Sequence, residues 1–363
     1  MAREILFSFE LEPGMVVCED VFDSKGRLII NKGTRLNKEI ISKMEFFSVS
    51  EIPVDTEMDS VADLEALTPV EETKRQLSLK ETPVYKNFVK DYETALDIVR
   101  DMLNDVVRGK GNMNPGLALS AVRKILANCN NSHQVLDILH NLETSDEPTY
   151  HHSLKVAIIS RMFGKWLGLP EEDINHLTIA GIVHDIGKLV IPPAILNKAG
   201  KLTPEEYEIV KNHTLKGFAI IKDQHLDFRV KEACVMHHER CDGSGYPFKV
   251  TLDRITTFGK IIAIADVYDA MTSARAYRKG FCPFEVIQVF EAEGLYKYDS
   301  FYILIFLENI VSSYLHNRVL LSDGREGEVV MINKQCLAKP MLMDGDTFID
   351  LSKESNVKIV EIL

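Results

Sequence analysis

Six histidines set the problem that this chain must solve in folding: His151, His152, His184, His213, His237 and His238. Most of them stand on, or at the end of, segments whose apolar residues recur at helical steps, so the rings are turned toward an interior. Ile174, Leu177 and Gly181 lead by steps of three and four to His184, with Asp185 beside it. That helix is predicted to begin at Pro170, with Glu171 and Glu172 in a favourable first turn. The next begins at Thr203-Pro204-Glu205-Glu206, a capping box with Pro at its first position, and places Val210, His213, Gly217 and Ile220 on one face. His237 and His238 close a run holding Val230, Ala233 and Cys234. Neighbouring helical positions differ by about 100°, so both rings reach one centre only at a helix end, which the following Gly-rich loop supplies. Asp266 lies between Ile262 and Ala270, and His152 leads the face Val156, Ile159, Phe163.

A buried imidazole or carboxylate is costly unless it is hydrogen-bonded or bound to metal. Four or five helices each delivering one such group to a common interior therefore point to metal binding. Imidazole with carboxylate suits Fe, Mn, Zn, Co or Ni. Two ions about 3.5–4 Å apart can share a bridging carboxylate and clamp a phosphoryl group in displacement.

The net charge of −12 argues against a general binder of polymeric nucleic acid, which needs a basic surface. The charge of a small anionic substrate would be met locally, by metal ions or a few arginines. Cys18, Cys129, Cys234, Cys241, Cys282 and Cys336 form no C-x-x-C pair, so neither a disulfide framework nor a cysteine zinc site is expected. Met1–Glu10 lacks the basic start and apolar run of a signal peptide, and the apolar run Phe301–Leu307 is too short to span a bilayer. The expectation is a soluble, cytoplasmic protein with no membrane span.

The fold class expected is mainly α, with a β-containing module at each end. Residues 1–54 read as a small β-containing module: Val16-Val17 and Leu28–Ile30 flank the turn-forming Asp23-Ser24-Lys25-Gly26, and Asn37 opens a short helix with Ile40, Ile41 and Met44. Residues 55–82 have linker composition. Residues 83–145 turn helical, with a break at Asn112–Gly116, and residues 146–315 hold nearly all the candidate chemistry. Residues 316–363 read as a β-rich appendage with strands at Val319–Leu321, Val329–Met331, Phe348–Leu351 and Val357–Val360, turned by Ser322-Asp323-Gly324 and Asp344-Gly345-Asp346.

With these residues in view, His184-Asp185 followed by Lys188 resembles the HD superfamily of metal-dependent phosphohydrolases. The run His237-His238-Glu239-Arg240-Cys241-Asp242-Gly243-Ser244-Gly245-Tyr246-Pro247 resembles the signature of its HD-GYP subfamily, and the likeness covers roughly residues 146–312. It extends through Asp266 to Thr272–Arg278. The resemblance implies an all-helical catalytic domain that hydrolyses cyclic di-GMP to the linear dinucleotide pGpG, GMP or both. It implies that His152, His184, Asp185 and Asp266 hold one divalent ion, and that Asp185 bridges to a second held by His213, His237 and His238. The ions would be iron, with manganese the alternative. Lys188 would contact the scissile phosphate and protonate the leaving oxygen, while Arg275 and Arg278 take the other phosphate or a guanine edge. The loop carrying Asp242, Gly243 and Tyr246 would shape the pocket. Leu11–Val16 and Asn31–Thr34 resemble the N-terminal segment often fused to such domains, where a role in regulation, dimer formation or contact with signalling partners is open.

Departures from that pattern are specific. Pro148 stands where some members supply a Glu to a third metal, which favours two ions. Ala276 stands where Pro is common, and Tyr298-Asp299-Ser300 replaces a usual Phe-Asp-Pro. Competing readings are a cyclic di-GMP receptor without catalysis, a hydrolase of another cyclic dinucleotide such as hybrid cyclic GMP-AMP, and a di-iron oxygenase. The complete ligand set argues against the first, and the Gly-Tyr-Pro loop with its arginine pair argues against the last.

Overall fold

The computed structural model describes residues 3–7, 11, 14–19, 21–22, 28–30, 32–36, 51–55, 79–142, 147–198, 200–273, 280–354 and 356–363. The chain divides into two compact units, residues 1–76 and 77–363. In the first, β1 (Arg3–Phe7), β2 (Val16–Val17) and β5 (Glu51–Asp55) form an antiparallel sheet in the order β1-β5-β2. The pair β3 (Val21–Phe22) and β4 (Leu28–Ile30) stands beside it in sequence. Leu11, Val17, Val21, Ile30, Leu36, Ile52 and Val54 make its own small core. The expected turn at 23–26, the short helix opened by Asn37 and the body of the linker lie outside the described residues.

The second unit is built on helices. Thr82 caps α1 (Pro83–Val107), its side chain accepting from Tyr85 N–H; Asn114 and Asn131 do the same for α2 (Pro115–Leu126) and α3 (Ser132–Asn141). Two further helices form the centre. In α4 (Pro148–Trp166) every residue from Ser153 to Gly164 is buried, the mark of a helix covered on all sides. Its neighbour α5 (Glu171–Val183) buries an unbroken run from Leu177 to Val183. The two approach at Gly181, where a Cβ would stand 2.6 Å from Ala157 Cα, so only glycine permits this spacing.

After a 3₁₀ turn, Ile186–Val190, come α6 (Pro204–Lys211), α7 (His213–Ile221), α8 (Phe228–Met236) and α9 (Thr257–Thr272). The capping box at Thr203 and Glu206 is formed as expected. The continuous helix expected through Val210, His213 and Gly217 is instead interrupted at Asn212, whose N–H and side-chain amide both return to Glu208 O. The His213 ring then reaches back to Val210 O, a carbonyl near the end of α6.

Beyond α9, α10 (Pro283–Val289) runs through a π turn, Phe290–Gly294, toward α11 (Ser300–Ser313). The C-terminal sheet is antiparallel in the order β10-β6-β7-β8-β9: β6 (Arg318–Leu321), β7 (Glu326–Met331), β8 (Met341–Asp344), β9 (Thr347–Asp350) and β10 (Ile359–Ile362). Strand β8 is not expected from the sequence, where Met341-Leu342-Met343 carries no β-branched residue. Both turns expected here are present, with Gly324 and Gly345 at positive φ. A single apolar cluster runs from Phe88 to Ile359, so the sheet shares its core with the helices. The protein is mainly helical with a β-rich C-terminal part, in accord with the expected class.

Candidate metal centre

Three helices end at one place. His184 is the residue after α5, His237 the residue after α8, and His213 follows α6 by two. The last carbonyls of a helix have no partner within it. Each ring supplies one: His184 Nδ1 donates to Gly181 O (2.8 Å), His213 Nδ1 to Val210 O (2.7 Å), and His237 Nδ1 to Cys234 O (3.0 Å). A carbonyl only accepts, so each Nδ1 carries the proton and each Nε2 of the neutral ring presents a lone pair.

These Nε2 atoms face one another. His213 and His237 meet at 3.3 Å, and His184 meets His152 at 3.3 Å. Between them sits Asp185, 1 % exposed, with Oδ1 at 3.2 Å from His213 Nε2 and 3.7 Å from His237 Nε2. Its Oδ2 lies 3.6 Å from His152 Nε2 and 3.5 Å from His184 Nε2. Buried Oδ1 accepts no hydrogen bond among the described residues. The Nε2 lone pairs of His213 and His237, turned on each other beside an unsatisfied carboxylate oxygen, repel unless a cation stands among them. The donor set therefore fits divalent metal on its own chemistry.

Two groups of ligand atoms, each within 4.8 Å of one another, share Asp185: His152, His184 and Asp185, and Asp185, His213, His237 and His238. Asp266 joins the first through Oδ1, 2.9 Å from His152 Nε2, and approaches His238 Nδ1 at 3.7 Å through Oδ2. Every metal ligand expected from the sequence is thus in the cluster. His151 is turned elsewhere, its Nδ1 3.3 Å from Tyr92 Oη.

Electrostatics follow from burial. It pushes His184 down to about 3 and lowers His237 and His238, keeping these rings neutral. His152 is the exception. Burial opposes its charge, but hydrogen bonds to Asp266 and Asp269 raise it to about 10. Burial also opposes the charge of Asp185, yet Lys188 and the surrounding histidines hold it well below the usual carboxylate range. Burial opposes the charge of Asp266 too, and His152 plays the same part in holding it low.

Lys188 enters from the 3₁₀ turn, and Gly187 makes that possible. A Cβ on Gly187 would fall 1.9 Å from His213 O and 2.6 Å from Gly217 N, so the turn rests directly on the start of α7. The loop after His238 folds over the cluster. Tyr246 N–H donates to His238 O, and its ring lies 4.7 Å from the His238 ring. Gly245 has no room for a side chain against His238 O and Glu239 Cα, both 2.5 Å from a hypothetical Cβ. Asp242 is exposed and its carboxylate accepts from Ser244 N–H and Oγ–H, shaping the loop around Gly243 at positive φ. Arg275 and Arg278 lie outside the described residues.

Three residues of this neighbourhood are not singled out by the sequence pattern. Asp269 accepts from His152 Nδ1 (2.7 Å); its spacing of three from Asp266 is the available clue. Glu239, 2 % exposed, accepts from Phe248 N–H (2.7 Å) and Val250 N–H (3.1 Å) and so ties down the loop. Lys155 is buried on α4, one turn from His152.

Residues 137–301 match the family model described as HD domain. A cyclic di-GMP phosphodiesterase of Pseudomonas aeruginosa, PA4108, is 36% identical over 203 residues, covering 56% of this chain and 49% of that protein. A cyclic di-GMP phosphodiesterase of Thermotoga maritima is 41% identical over 148 residues, 40% of each chain. A 3′3′-cGAMP-specific phosphodiesterase of Vibrio cholerae is 39% identical over 152 residues, 42% of this chain and 35% of that one. The chain thus spans about half the length, or less, of these relatives. Among solved structures, the HDGYP protein Bd1817 of Bdellovibrio bacteriovorus superposes with a TM-score of 0.51 at 14% identity, over 85% of this chain and 99% of that one, which is a likeness of fold. No helix among the described residues is long and apolar enough to cross a membrane.

Proposed function

We propose that the HD domain at residues 137–301 makes this chain a metal-dependent phosphodiesterase that hydrolyses cyclic di-GMP to pGpG, GMP or both. The observation that carries this reading is Asp185, common to two ligand groups. One ion would be held by His152, His184, Asp185 and Asp266, the other by Asp185, His213, His237 and His238. Pro148, at the start of α4, offers no ligand for a third. The ions are iron or manganese. Such a pair supplies the positive charge on which a phosphodiester is polarised and water is activated.

The chain's own residues do the rest. Lys188 Nζ lies 2.5 Å from Asp185 Oδ2, close enough to meet a phosphate drawn to the cluster and to hand a proton to the departing 3′ oxygen. Tyr246 offers a ring face beside His238 for a guanine base, and Gly243 lets the loop turn above it. Asp242 acts by shaping that loop. Arg275 and Arg278 take the second phosphate or a guanine edge. The reading places the enzyme in the cytoplasm, with homodimer formation or partner proteins open to the terminal modules.

Anaerobic incubation of Fe(II)- or Mn(II)-loaded protein with cyclic di-GMP tests this, with products separated over time and Asp185→Ala as control. Linear dinucleotide or GMP formed only by the intact protein is expected; binding of cyclic di-GMP without turnover under either metal would replace the enzyme by a receptor. A second substrate has support in the Vibrio cholerae relatives named for 3′3′-cGAMP. Parallel time courses with both dinucleotides decide between them.

A further inference from the structure

We propose that Lys155, Ser273 and Asp269 form a one-way hydrogen-bond chain that fixes the orientation of His152, making Lys155 a positioning residue of the metal centre; the inference rests on the metal-binding reading of that cluster. Lys155 is 3 % exposed, and among the described residues its one hydrogen bond runs from Nζ to Ser273 Oγ (3.1 Å). No carboxylate of those residues lies within ion-pair distance of it. A buried ammonium so sparsely partnered is costly, and apolar side chains of its size exist that would fill the same space. Its chemistry explains its place.

An ammonium has donors only. Ser273 Oγ must therefore accept from Lys155, which leaves its own proton to be donated to Asp269 Oδ1 at 3.0 Å. The carboxylate of Asp269, held on one side by that bond, accepts a second through Oδ2 from His152 Nδ1 at 2.7 Å. His152 Nδ1 thereby carries a proton, and Nε2 is turned to His184, Asp185 and Asp266. For His184, His213 and His237 a helix carbonyl does this work. His152 lies inside α4, where the carbonyls behind it are committed to the helix, so its orientation is set from a neighbouring helix instead. Without the ammonium, Ser273 can rotate its proton away from Asp269. The carboxylate then loses the bond that fixes its plane, and the ring it holds is free to turn its other nitrogen toward the metal.

Titration of the full-length, metal-stripped protein with Mn(II), followed through the electron paramagnetic signal of the free ion, tests the chain without any assay of hydrolysis. Lys155→Met, Ser273→Ala and Asp269→Asn are each expected to weaken one class of Mn(II) site by about 10- to 100-fold, the usual cost of losing a group that orients a ligand. Lys155→Arg, with donors only, restores binding. Because Lys155 acts through Asp269, the double variant Lys155→Met/Asp269→Asn is expected to bind no more weakly than Asp269→Asn alone. Unchanged Mn(II) affinity in folded Lys155→Met, or effects of the two substitutions that add, would overturn the proposal. Should Lys155→Met fail to fold, Ser273→Ala removes only one hydroxyl and breaks the same chain, and unchanged affinity there is equally fatal. A wild-type protein that takes up a single ion counts against the two-ion reading alone, since the chain is judged on the ratio of wild-type to variant affinity.

Discussion

The ammonium of Lys188 stands 2.5 Å from Asp185 Oδ2, the same oxygen that faces His152 and His184. Among the described residues it is the one lysine or arginine paired with the central carboxylate, yet it is itself partly open to solvent. This pairing separates two jobs. Lys188→Met should leave Mn(II) binding in place, because every ligand remains, while turnover falls by about 10²–10⁴-fold, the range for loss of a positioned proton donor. Steady-state kinetics beside a metal count on the same preparation checks both halves. A variant that loses its metal instead would make Lys188 part of the binding site.

Asp185→Asn removes one charge from a carboxylate shared by two ligand groups. Hydrolysis is expected to vanish, with both classes of metal site weakened together. His213→Ala, by contrast, should strip one site and spare the other. Elemental analysis after dialysis distinguishes the two patterns, and near-normal turnover by metal-loaded Asp185→Asn would refute the shared-ligand reading.

Acidity should unsettle the metal-free protein in a defined window. His184 is pushed down to about 3 and His237 and His238 also lie low, so below about 6.5 the unfolded chain takes up protons that these buried rings refuse. Their contribution is present above that pH and is lost as pH falls. His152 works in the opposite sense. Raised to about 10, it stabilises fully below about 6.5 and progressively less as pH climbs to 10. Melting temperatures of chelator-treated protein from pH 5 to pH 10 should therefore fall toward both ends. A flat profile between pH 7 and pH 5 would contradict the burial of these neutral rings.

Glu239 sits within the sequence motif and is buried, but among the described residues its carboxylate hydrogen-bonds to the loop and not to the cluster. Its carboxylate accepts two backbone N–H groups, from Phe248 and Val250, across the base of the loop that carries Tyr246. Charged hydrogen bonds of this kind contribute about 1.5–3 kcal/mol each. Glu239→Gln keeps one good acceptor and should raise KM with kcat and metal content nearly unchanged. Glu239→Ala should cost roughly 1–2 kcal/mol in urea unfolding through the loss of both bonds to these partly buried donors. Equal losses in kcat and metal would place Glu239 in the chemistry instead.

The ligands are legible in the sequence because each lies on an apolar helical face or at a helix end, where a polar residue conflicts with its surroundings. The helix cap at Thr203 and the turn glycines of the sheet are legible for the same local reason. Lys155, Asp269 and Glu239 are not, since each is explained only by a partner far along the chain or across a loop: Ser273, His152, Phe248. Asn212 escapes because a helix break of one residue leaves the apolar period nearly intact. Strand β8 escapes because Met and Leu pack in a sheet only when neighbouring strands are already in place.

The convergence of α5, α6 and α8 has a consequence for the order of events. A helix ends in the equivalent of about half a negative charge; the ends of α5 and α8 meet here beside Asp185 and Asp266, while the end of α6 is offset by the start of α7 at His213. In the bare protein the charges of Asp185 and Asp266 are answered by Lys188 and His152, so the place holds no spare positive charge for a phosphate, while its open ring nitrogens call for cations. On the proposed function, substrate is gripped only after metal has brought positive charge to the place, so metal-stripped protein should give no isotherm with cyclic di-GMP. Metal supply would then decide when the enzyme can see its substrate at all.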